Sequence, residues 1–183
     1  MGVAEAITGS LLLAVLSTAG DFIWATWITS GRAVFGFVHG ALIFLAIGLF
    51  LGKVAGRPAA GAIAGGCIGV LAAGLYYVLS PLLGFSAMVV AWMAVWIGLA
   101  AIYGRLQSQR IDAGAHHDIR LNIGAIAGRG VVAAIASGLA FYLISGIWRP
   151  FNPQGLDYAV HFAAWVVAYF PGFAALLIKK VAR

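Results

Sequence analysis

Six stretches of about twenty mostly apolar residues, joined by short polar connectors, limit what this chain can fold into. They cover residues 7–28, 33–52, 59–80, 85–104, 122–148 and 157–178. An α-helix rises about 1.5 Å per residue, so about twenty residues cross the hydrocarbon layer of a bilayer. Lipid gives the backbone no hydrogen-bond partner, which leaves helices and closed barrels as spanning structures. No stretch of about ten residues alternates apolar and polar side chains as a barrel strand does. The expectation is all-α: a polytopic membrane helical bundle of six transmembrane helices, forming one integral membrane domain over residues 1–183.

Composition describes the surface in the same terms. The chain is 63% hydrophobic and 9% charged, with a mean hydropathy of +1.04. Soluble domains carry about 25% charged residues, so there are too few charges here for a surface facing water. A net charge of +6 in a soluble protein would point to an anionic partner. Here the bases lie between apolar runs, and no nucleic-acid partner is expected. Lys53 and Arg57 separate the second and third runs, and Arg105, Arg110 and Arg120 separate the fourth and fifth. Lys179, Lys180 and Arg183 follow the sixth, while the alternate connectors hold only Arg32 and Arg149. Basic loops stay in the cytoplasm, so both termini and residues 105–120 are expected there. The residues before the first run include Glu5 and no Lys or Arg, and the run reads as a retained span instead of a secretory signal. Short loops and small size suggest the bacterial inner (plasma) membrane. Arg129, a turn or two inside the fifth run, is expected to reach the cytoplasmic interface along its own stem. The single cysteine, Cys67, excludes an intrachain disulfide and a cysteine metal cage.

Small residues mark where helices can approach. Gly61, Gly65, Gly69 and Ala73 recur every fourth position, as do Gly36/Gly40, Gly48/Gly52 and Gly124/Gly128. Such spacing lets two backbones pack closely, within the bundle or between copies in a homo-oligomer. Trp92 and Trp96, one turn apart, are expected to pack or to line a cavity. Ser80-Pro81-Leu82-Leu83-Gly84 is expected to be a turn. Pro171-Gly172, well inside the last run, is expected to bend that helix and so to open a pocket.

The ionisable residues inside the runs carry the functional question. Asp21 lies in the first run and His39 in the second, with Asp157 and His161 one turn apart in the sixth. Aspartate within a spanning helix costs about 2.5–3.5 kcal/mol on insertion scales, so it faces protein or a cavity. The topology places Asp21 and His39 about 9–10 Å below the outer boundary, with His161 slightly shallower. The short connector makes the first two helices expected neighbours. Ser17, Thr18, Asp21 and Trp24 share one helical face. The candidate ligand-binding set is Asp21, Trp24, His39, Asp157, His161 and Trp165.

Several chemistries suit that set. Two imidazoles and a carboxylate can hold a divalent metal, relay a proton or meet a lipid headgroup. Equally, Asp21 and His39 can bond each other and only tie the hairpin. His116-His117-Asp118, in the polar connector, could bind a metal or could be an exposed loop. No His-Glu-x-x-His, Gly-x-Ser-x-Gly, phosphate loop or Cys-x-x-Cys pair occurs, so nothing argues for an enzyme or a cofactor. The leading expectation is a protein that binds a lipid or sterol-like apolar ligand in an intramembrane cavity, as a sensor or regulator. The alternative is a small transporter or channel using Asp21, His39 and His161 as an ion or proton path.

The order of segments resembles the Insig family of endoplasmic-reticulum membrane proteins. The fourth run ends Trp96-Ile-Gly-Leu-Ala-Ala-Ile-Tyr-Gly-Arg105, and Trp148-Arg-Pro-Phe-Asn-Pro-Gln-Gly155 resembles that family's aromatic, proline-containing turn before the sixth span. The resemblance implies six helices and sterol or lipid binding in an intramembrane cavity. That family's Asn-His-Ala-Ser-Ala-Lys stretch is missing: the corresponding region reads Ala73-Gly-Leu-Tyr-Tyr-Val-Leu-Ser-Pro81. The resemblance therefore carries over neither partner retention nor any functional residue.

Overall fold

A computed structural model describes residues 2–28, 30–112, 123–144 and 155–178. They form α1 (Val3–Trp27), α2 (Arg32–Val54), α3 (Pro58–Leu83), α4 (Ser86–Asp112), α5 (Ile123–Ile144) and α6 (Leu156–Leu177). No strand occurs among the described residues, and all six helices are long and apolar enough to cross a membrane. By length and composition this is an integral membrane protein.

Local chemistry sets the helix ends. Gly2 donates its N–H to Glu5 Oε2 at 2.5 Å, the backward half of a capping box. Gly31, at φ +66°, reverses the chain between α1 and α2 in a conformation glycine adopts without a Cβ penalty. Gly56, at φ +80°, follows α2 and donates to Lys53 O at 3.0 Å. Pro58 then opens α3, where its missing N–H costs nothing.

Two boundaries differ from the sequence expectation. The turn expected at 80–84 is helical through Leu83 and reverses at Gly84-Phe85. Pro81 has no N–H for Tyr77 O, and the Ser80 hydroxyl donates to that carbonyl at 3.3 Å. The helix therefore runs past its proline with the freed acceptor satisfied. α4 likewise continues past residue 104 to Asp112. There Gln107 donates to Tyr103 OH, one turn back, at 2.7 Å.

The helices form a ring in which α2 packs on α3, α3 on α4, α4 on α5, α5 on α6 and α6 on α1. The ring closes only loosely, because α1 touches α2 lightly and lies along α6 instead. Gly9 lies against the Phe50 ring and Gly20 against His39, so α1 and α2 meet toward both ends, but more lightly than α1 meets α6. The end carrying the α1–α2 and α3–α4 turns is here the hairpin end, and Gly2 and Ile178 mark the terminal end.

Glycines bring α2 and α3 together. A Cβ on Gly48 would collide with Gly61 O and fall 2.8 Å from Gly65 Cα, and one on Gly69 would collide with Gly40 O. The expected four-residue repeat is therefore a backbone-to-backbone seam within the chain. Gly128, by contrast, has open space where a Cβ would go.

Aromatic rings fill the centre. Trp92 stacks on Phe141 at 4.9 Å, Trp165 on Tyr169 at 5.2 Å, and Trp96 meets Phe173 edge-on at 5.4 Å. The pocket expected beside Pro171-Gly172 is filled by protein: a Cβ on Gly172 would fall 2.5 Å from Trp96 Cε2. Trp92 Nε1 donates to Ser137 Oγ at 2.8 Å, and Ser137 donates on to Ala168 O at 2.6 Å. That buried chain joins α4, α5 and α6. Near the terminal end, half-buried Arg129 points its Nη1 at Leu176 O, 3.4 Å away, at the carbonyl-rich end of α6 where a cation is favoured.

Candidate functional site

At the hairpin end, one carboxylate on α1 bonds two side chains of α6 and faces an imidazole of α2. Asp21 lies near the end of α1, His39 in the first half of α2, and His161 early in α6 with Trp165 one turn further. His161 Nε2 and Asp21 Oδ2 are hydrogen-bonded at 2.9 Å, and Trp165 Nε1 donates to the same oxygen at 2.8 Å. The other oxygen, Oδ1, lies 3.5 Å from His39 Nε2. Gly20 makes the His39 position possible, since a Cβ there would sit 2.7 Å from the imidazole Cε1. Phe22 adds an aromatic wall, its ring 4.3 Å from Tyr158 and 5.0 Å from His161.

The site is open on one side and closed below. Asp21 and His39 side chains keep 30% and 28% of their surface exposed, against 10% for His161. One turn deeper, Ser17 Oγ and Tyr169 OH share a buried hydrogen bond at 2.6 Å. The Thr18 hydroxyl beside it is buried without a partner among the described residues. Toward the terminal end come Leu13, Ile47 and Phe173, each at most 2% exposed. The Trp96 indole, edge-on to Phe173, brings its buried Nε1 to this layer, without a partner among the described residues.

A carboxylate with two imidazoles can bind a cation, exchange a proton or hold a polar headgroup. Among the described residues, no three His, Cys, Asp or Glu are grouped to hold a metal ion. The two imidazoles address different oxygens of one carboxylate.

Four of the six candidate residues therefore meet: Asp21, His39, His161 and Trp165. Asp157 is half-buried in the first turn of α6, one turn before His161. The Trp24 side chain and the His116-His117-Asp118 motif lie outside what is described. Sequence reasoning missed Tyr169, the partner of Ser17. Its spacing could have revealed it, since His161, Trp165 and Tyr169 recur every fourth residue on one face of α6.

No family model, no curated protein and no solved structure matches this chain.

Proposed function

We propose that this protein binds a membrane lipid, with the lipid's polar head at the Asp21–His39–His161 cluster. One observation carries the reading. A carboxylate at membrane depth stays partly exposed at the contact between α1 and α2, the lightest in the ring. A purely structural tie gains from being sealed, because an exposed ion pair contributes about 0–1 kcal/mol. Leaving Asp21 and His39 open makes sense where something else meets them. Exposed apolar residues on the same helices, such as Leu16, Ile23, Val38 and Leu42, offer acyl chains a surface along the α1–α2 seam. The excess of basic residues in connectors at the other end supports an outward-facing hairpin end and cytoplasmic termini. The likeness in segment order to the Insig family keeps sterols among the lipids to be tested.

The test is lipid retention. Protein extracted from its membrane in mild detergent is expected to carry about one lipid per chain through gel filtration, and Asp21→Asn is expected to lose it. Wild-type protein that retains no lipid would sink the proposal. A proton or ion path through the same residues is the second reading, favoured by the row of two imidazoles and one carboxylate. Such a path would have to pass the closely packed Leu13, Ile47 and Phe173 below the cluster. Proteoliposome flux that disappears in His39→Ala would move the assignment to transport.

A further inference from the structure

Resting on the lipid-binding reading above, we infer that the head held at Asp21 is a cationic amine, which competes with protons for the site. The first support is the charge inventory. On the hairpin half of the bundle, α3, α4 and α5 contribute no Lys, Arg, Asp, Glu or His. α1 contributes Asp21, α2 contributes His39, and α6 contributes Asp157 and His161. Arg32 begins α2, seven residues before His39 and about 10 Å further out along the axis. With neutral imidazoles the cluster carries the Asp21 charge, and a second carboxylate lies one turn from His161. Among the described residues Arg32 is the one fixed cation at this end, and Arg149, in the connector before α6, lies outside them.

The second support is the geometry of the wall. Phe22 and Tyr158 stand together beside His161, and Trp165 already donates to the carboxylate. Aromatic faces draw cations electrostatically, and a carboxylate away from bulk water is stabilised by a nearby opposite charge. Two cations can supply that charge: an imidazolium formed on His39 or His161, or the ammonium of a bound amine. They exclude each other. A proton on either imidazole completes an internal ion pair with Asp21, and the next cation is then repelled. Acid therefore weakens the binding of an amine head. An anionic head would show the opposite slope and bind more tightly as the imidazoles charge.

The full chain is tested in mixed detergent micelles containing phosphatidylethanolamine, phosphatidylglycerol or cholesterol, with bound lipid counted after gel filtration. Phosphatidylethanolamine is expected to bind at least about tenfold more tightly than phosphatidylglycerol at about pH 8, and to weaken by up to about tenfold per pH unit in acid. His39→Gln combined with His161→Gln is expected to flatten that slope, and Asp21→Asn to abolish the preference. Should Asp21→Asn fail to fold, the wild-type comparison still decides. A preference for phosphatidylglycerol or cholesterol, or amine-lipid binding that tightens in acid, would overturn the inference while leaving lipid binding intact. No binding of any lipid would overturn the lipid reading itself. Ethanolamine alone binding as strongly as the lipid would keep the amine site and overturn its lipid source.

Discussion

Single polar atoms decide how much of this bundle is structure and how much is site. The Ser137 hydroxyl accepts from the Trp92 indole and donates to Ala168 O in a fully buried position. Removing it leaves a buried donor without a partner, which costs about 1–3 kcal/mol. Ser137→Ala is therefore expected to lose about that much stability in chemical unfolding from detergent micelles. Adding Trp92→Asn or Trp92→Ala would confuse the measurement with a cavity, whereas Trp92→Phe removes the orphan donor and is expected to couple favourably with Ser137→Ala. At this scale much was legible. Asp21 and His39 stand out because charge and imidazole are rare among apolar neighbours. The Ser137 chain was not, since a lone serine in a helix carries no sign of which neighbour it will meet.

Between elements, the glycine seam governs how closely α2 and α3 approach. A Cβ on Gly65 would collide with Phe44 O and fall 2.8 Å from Gly48 Cα, both of them backbone atoms that no rotamer change can move. Gly65→Ala is expected to force the helices apart at a cost of about 1–3 kcal/mol. Gly128→Ala meets open space and is expected to be neutral or to stabilise by up to about 1 kcal/mol through helix propensity. Thermal unfolding of the two variants side by side checks the pair. The four-residue repeat made this seam readable, because close packing needs small residues at that period. Gly124/Gly128 shows the same spacing, yet Gly128 faces no neighbour. Spacing shows that a face is smooth and does not say what it touches. The short connector made α1 and α2 readable as neighbours, which they are, while the more extensive packing of α1 on α6 depends on side-chain fit that no connector reveals. Pro81 shows a local rule overridden, its cost met by a single serine hydroxyl.

For the whole molecule, six spans were legible because length and hydropathy are the physics of insertion itself. The ring order was not, since every face of every helix is apolar enough for lipid. The orientation proposed from charge can be tested directly. In a Cys67→Ser background, Ser30→Cys is expected to react with a membrane-impermeant maleimide from outside intact cells, and Arg57→Cys only after lysis. The reverse pattern would turn the bundle over and put the Asp21 site on the cytoplasmic side. The ring leaves one loose contact, between α1 and α2, and the partly exposed carboxylate sits beside it. Photo-crosslinking with a lipid carrying a diazirine in its headgroup locates the binding site without assuming it. Saturable labelling on the α1–α2 hairpin around Asp21 and His39, and on α6 around His161, is the expected result. Saturable labelling confined to α3 or the outer face of α5 would contradict the assignment of this cluster as the lipid site.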